Sequence, residues 1–203
     1  MSRKEMILRA ATRLFSAKGF KETSMAELSR MSGVAGGTIF YHFKNKEELF
    51  LSILEGFKSD IVEEFERYRR ERKFDTGLDM IEGTISFYFY LVGRMEDRFL
   101  LLHRHDAYEL AEVNPLCGEY LQSIYNCLLD IFEQAVQLGQ EDGSIGGMPA
   151  RKTAMIILCM VDGLARFNTY KLYDAGALYN ELMQSCRRML QNNQTQQQEV
   201  DSC

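Results

Sequence analysis

Apolar residues return every three or four positions along almost the whole of this chain, and little interrupts that rhythm. Only two prolines occur in 203 residues, Pro115 and Pro149. Both suit the first turn of a helix, where the missing N–H would have no partner anyway. With 46% apolar residues and abundant Leu, Met, Ala and Glu, the chain reads as globular and all-α, because nothing in it punctuates short strands.

The first helix is predicted over residues 2–18, where Ile7, Ala10, Ala11, Leu14 and Phe15 form one apolar stripe. Ser2 can cap its start, and Gly19 stands where a helix ends on a left-handed residue. Ser24-Met25-Ala26-Glu27 is a capping-box pattern that opens a short second helix, expected to bury Met25, Leu28 and Met31 and to stop at Gly33. Two residues later a third helical stretch begins, Gly36 to Phe43. One full helix followed by two short ones about a tight glycine turn is the helix-turn-helix layout.

A long helix is predicted from Asn45 to about Lys73, through Leu49, Ile53, Leu54, Phe57, Ile61, Phe65 and Tyr68. No linker rich in glycine or proline separates the head from the rest, so this helix is the mechanical connection. Further helices are predicted at about 78–93, 95–112, 115–139, 149–173 and 176–190, with a polar loop over 140–147. The tail over 191–203, rich in Gln and Asn, has little to bury and is expected to be disordered.

Charge is unevenly spread. Residues 1–49 hold nine Lys and Arg against five Asp and Glu, whereas residues 50–203 hold fifteen against twenty-four. A basic head on an acidic body suits a local polyanion-binding surface, although a charged surface can also fluctuate this far by chance. Residues 1–20 lack the apolar core of a secretory signal, and the longest apolar run, 154–161, is too short to span a bilayer. Five cysteines stand at 117, 127, 159, 186 and 203 without C-x-x-C spacing. A cytoplasmic protein with reduced thiols and no membrane partner is expected.

Within the third helix, Ile39, Phe40 and Phe43 are expected to pack on the first two helices. Thr38, Tyr41 and His42 fall at i, i+3 and i+4 on the opposite side, with Lys44 and Lys46 just beyond. Such a face can enter a major groove, where hydroxyl and imidazole groups meet phosphates or base edges and lysine supplies the salt-sensitive charge. By spacing alone, a surface helix with one polar face fits equally well.

Phe20 to Met25, together with Ser32-Gly33-Val34-Ala35-Gly36-Gly37-Thr38-Ile39-Phe40-Tyr41-His42-Phe43-Lys44-Asn45-Lys46-Glu47-Glu48-Leu49, resembles the DNA-binding head of the TetR family of bacterial transcriptional regulators. The resemblance covers residues 3 to about 54. It implies an all-α, TetR-like fold: a three-helix DNA-binding domain (1–48) joined by the long helix to a helical effector-binding and dimerisation domain (49–190). It also implies a homodimer on a pseudo-palindromic operator of double-stranded DNA, with affinity lowered by a small molecule bound in the body. The residues it assigns to DNA are Thr23, Ser24, Gly36, Gly37, Thr38, Tyr41, His42, Lys44 and Lys46. Two positions depart from the family's habit. Ala35 stands where serine usually caps the third helix, and Gly36 where a long polar residue is common.

The body carries Phe87-Tyr88-Phe89-Tyr90, four aromatics spread around one helix. With Phe99, His103, Tyr108, Phe132, Met155, Phe167 and Tyr170 they could wall a pocket for a small hydrophobic or aromatic effector, or simply pack a core. His103-Arg104-His105-Asp106 puts possible ligand pairs on two different helix faces, which does not close a metal site, so neither metal nor cofactor is expected. Met155 and Leu158, with the seam Leu178, Leu182, Cys186 and Met189, could be core; the family resemblance makes them a dimer interface. No nucleophile elbow, phosphate loop or paired catalytic carboxylates appear, so an enzyme is not expected. The expected function is a ligand-responsive repressor; the alternative is a DNA-binding activator or regulator without an effector.

Overall fold

The computed structural model describes residues 1–174 and 176–191, and the tail expected to be disordered lies, from residue 192 on, outside the described residues. Among the described residues ten α-helices follow one another: α1 (Arg3–Lys18), α2 (Met25–Ser32), α3 (Gly36–His42), α4 (Lys46–Glu71), α5 (Gly77–Arg94), α6 (Glu96–His103), α7 (His105–Val113), α8 (Pro115–Glu141), α9 (Ala150–Thr169) and α10 (Tyr179–Leu190). A 3-10 turn at Gly176–Leu178 precedes α10, and no strand occurs among the described residues. The all-α, TetR-like class is the one observed.

Packing divides the described residues into two compact units, one within residues 1–63 and 94–125, the other within 64–93 and 126–191. Compactness therefore does not divide the chain at residue 48: the three N-terminal helices share a unit with α6, α7 and the start of α8. Inside the first unit, Phe15, Phe20 and Phe50 meet with ring centroids 5.4–5.8 Å apart, and Phe57 meets Phe99 edge-on at 5.2 Å. Each pair sits at the separation aromatic rings prefer. Inside the second unit, Phe87 packs against both Phe65 and Tyr68, and the Tyr68 hydroxyl donates to the Gly83 carbonyl.

Two predicted helices come out differently. The stretch 95–112 is two helices, because Arg104 takes an extended conformation (φ −77°, ψ 143°) between α6 and α7. No proline or glycine marks that break; tertiary bonds from Arg104 and Asp106 to the end of α1 compensate for the lost helical continuity. The helix predicted to 173 ends at Thr169. Lys171 adopts φ 54°, its N–H donates to the Asn168 carbonyl, and the Leu172 N–H reaches back to that of Phe167. This is a Schellman cap with lysine where glycine is usual, so no residue type announced it.

Candidate nucleic-acid interface

The head is built by local signals that act as read. Ser24 caps α2, its hydroxyl accepting from the Glu27 N–H at 3.2 Å while the Glu27 carboxylate accepts from the Ser24 N–H at 3.0 Å. Lys18 closes the far side of that carboxylate at 2.5 Å. The hydrogen bond from Lys18, then those from Ser24, hold the Glu27 carboxyl down at about 2. Gly33 ends α2 in the left-handed region, φ 67°, where a side chain would be strained. Ala35 leaves α3 with no side-chain cap, and a Cβ at Gly36 or Gly37 would meet nothing within 4 Å.

On α3, Ile39 and Phe43 are buried in the head as predicted, but Phe40 is 53% exposed and Tyr41 85% exposed. A seven-residue helix turns one stripe inward, and Phe40 is rotated about 100° from Ile39, outside it. Phe40 is thus the outward-facing residue that the periodicity misassigned. Met31, also predicted buried, is half exposed, because α2 buries only the stripe through Leu28 and Ser32. Thr38 and His42 are half-buried, Ser24 and Lys44 exposed, and the Tyr41 and His42 rings meet edge-on.

Two expected DNA contacts are engaged elsewhere. Thr23 is buried, and its hydroxyl donates to the Gly19 carbonyl at 2.8 Å. The Lys46 ammonium donates to three carbonyls, Phe20 at 2.7 Å, Thr23 at 2.9 Å and Lys21 at 3.1 Å, so all three of its protons are used within the head. Burial holds that ammonium below the usual lysine range. Arg30 and Lys44 are exposed cations here, and Lys4 lies over the Phe43 ring at 5.8 Å.

The residues expected to hold an effector fall in both units. Phe99 and His103 are buried in the first, with rings 6.2 Å apart, whereas Tyr108 is exposed and bonded to Tyr125. Phe87, Tyr88 and Phe132 are buried in the second, and the Tyr88 hydroxyl donates to Asp162. Met155, Phe167 and Tyr170 are not buried: the first two lie on the outer face of α9 and Tyr170 caps its end. An open cleft of about 480 Å³ in the second unit and one of about 500 Å³ in the first are lined by none of these residues.

The expected dimer residues also separate. Leu158, Leu182 and Cys186 face the core of their own unit, since α10 turns Leu182, Cys186 and Leu190 inward. Met155, Leu178 and Met189 are exposed, and on α9 the outward apolar stripe runs through Met155, Ile156, Cys159, Phe167 and Tyr170. Among the described residues no cluster of three or more His, Cys, Asp or Glu gathers for a metal ion, and no helix is long and apolar enough to cross a membrane.

Residues 7–53 match the model of the family described as bacterial regulatory proteins, tetR family. An HTH-type transcriptional regulator of Haemophilus influenzae is 30% identical over 137 residues, covering 66% of this chain and 68% of that one. The fatty acid metabolism regulator protein of Bacillus subtilis is 24% identical over 88% of this chain and 90% of its own. Among solved structures, the transcriptional regulator FadR of Bacillus subtilis, in complex with stearoyl-CoA, superposes with a TM-score of 0.73 at 22% identity, covering 92% of this chain and 98% of that one. With the head geometry above, these matches make the chain a member of the TetR family of transcriptional regulators.

Proposed function

We propose that the chain is a ligand-controlled repressor that binds a pseudo-palindromic operator as a homodimer and is released by a small, largely hydrophobic effector. The observation that carries the DNA-binding reading is the outward side of α3, where Phe40 and Tyr41 stand in solvent, with Thr38 one turn before Tyr41, while Ile39 is buried. Aromatic and hydroxyl groups on a short exposed helix suit the thymine methyl and base edges of a major groove. Ser24, Gly36, Gly37, His42 and Lys44 surround that face and supply phosphate contacts.

A single head offers few contacts, and a two-fold dimer doubles them with half-sites about one helical turn apart. The α9 stripe from Met155 to Tyr170, flanked by Leu178 and Met189 on the chain beyond, is the self-complementary surface that a second copy would cover. Residues 49–190 hold the effector. Because one similar protein is named for fatty acid metabolism and another was solved with stearoyl-CoA, acyl chains and their thioesters are the first class to test.

The chain should enrich an inverted repeat from a random-sequence duplex pool, and an acyl-CoA series should then weaken that complex by about 1–3 kcal/mol of coupling. Enrichment of no duplex would overturn the DNA-binding reading. Binding indifferent to acyl and aromatic ligands alike would favour a regulator without an effector.

A further inference from the structure

Besides its internal bond from the Thr23 hydroxyl to the Gly19 carbonyl, the turn between α1 and α2, residues 19–23, is held by residues outside itself. The Phe20 N–H donates to Asp106 Oδ2 at 2.7 Å, across 86 residues of chain. The Arg104 Nη1 donates to the Ser16 carbonyl in the last turn of α1 at 3.2 Å, where a guanidinium also complements the negative end of the helix dipole. Lys21 pairs with Glu109 at 3.0 Å, and the three carbonyls of Phe20, Lys21 and Thr23 are taken by Lys46. Gly19 is required at this seat: φ is +99°, and a Cβ there would stand 2.4 Å from Asp106 Oδ2 and 2.9 Å from Arg104 Nη2.

The turn delivers the chain straight to Ser24, the cap of α2. Its position therefore sets where α2 begins and where α3 follows. At the break between α6 and α7, Arg104 and Asp106 both reach the end of α1 and the turn that follows it.

We propose that Asp106 and Arg104 are positioning residues for DNA recognition, seating the α1–α2 turn on the α6–α7 junction while Lys46 grips its carbonyls. The assignment rests on the DNA-binding reading above. Asp106 touches no DNA in this scheme; it acts through the Phe20 N–H.

The test uses the full chain and a labelled duplex enriched by the wild type from a random pool, with amide hydrogen exchange as second readout. Asp106→Ala should lower affinity about tenfold, the scale of one charge-assisted hydrogen bond, and speed exchange over residues 19–24. Asp106→Asn, whose amide oxygen still accepts from Phe20, should recover most of both. Adding Gly19→Ala to Asp106→Ala should cost less than the sum of the two, because both break one seat. Should Asp106→Ala fail to fold, Arg104→Gln is the milder probe, expected to lose about threefold in affinity with faster exchange in the same segment. The proposal is overturned if the alanine and glutamine variants bind like wild type with unchanged exchange, or if Asp106→Asn falls as far as Asp106→Ala in both readouts. If the wild type enriches no duplex, the DNA-binding reading fails, while exchange over 19–24 still decides whether Asp106 seats the turn.

Discussion

The ammonium of Lys46 lies 4.7 Å above the ring of Phe20 while donating to the carbonyl of that same residue at 2.7 Å. One side chain at the start of α4 thus holds both the backbone and the ring of the turn that leads into the DNA-reading helices. The interaction is structural, and it alters what a lysine in that position should do when removed.

Lys46→Ala is expected to lower the stability of the head by about 1–3 kcal/mol, because three carbonyls lose a shared charged donor. DNA affinity should fall with it, but the slope of affinity against salt should stay, since no phosphate is neutralised by this group. Denaturant unfolding and a salt series read the two effects separately. A flattened slope with unchanged stability would put the ammonium on a phosphate instead.

Phe40→Ala and Tyr41→Ala should each weaken binding to the enriched duplex by about 1–3 kcal/mol and relax its sequence preference. Neither should change the thermal midpoint by more than a degree or two, because both side chains are largely in solvent. Unchanged affinity for both variants would remove α3 from the groove.

Ile156→Glu, on the outer face of α9, should yield a folded monomer that has lost operator affinity, read by light scattering. Leu182→Glu should instead destabilise the second unit itself, by several kcal/mol, because that side chain is buried in its own protomer. A dimer unaffected by Ile156→Glu would move the interface off α9.

Glu27 makes the head sensitive to acid. Its carboxyl is lowered from 4.5 to about 2, first by the hydrogen bond from Lys18, so its contribution is fully present above pH 4.5 and fades as pH falls toward 2. Glu27→Gln should leave the thermal midpoint less dependent on pH in that window than in the wild type. Identical pH profiles for the two proteins would show that the Lys18–Glu27–Ser24 cluster adds nothing.

Much of the head was legible because it is written in short-range signals. The Ser24–Glu27 box, the Gly33 stop and the Ile7–Phe15 stripe act within a few residues, and each appears where it was read. Long-range choices were hidden. Periodicity gave α10 one apolar seam, yet it could not say that Leu182 and Cys186 turn inward while Leu178 and Met189 stay out. Lys46 looked like a phosphate contact because only the folded chain brings three carbonyls to it. Phe40 was lost for a simpler reason: bulk suggested core, and a seven-residue helix had no room to bury it. The Arg104 break has no proline or glycine to announce it, and the bond its side chain makes is to Ser16 at the end of α1, 88 residues upstream.

The space around Gly36 and Gly37 has a consequence for design. Alanine at either position would displace no neighbour, and each such change should stiffen α3 by up to about 1 kcal/mol. The helix-propensity cost of the two glycines in α3 therefore comes from composition and not from crowding. It can be tuned in two independent steps, which makes this head a place to measure how much pliancy a protein needs to search DNA quickly and still hold one sequence.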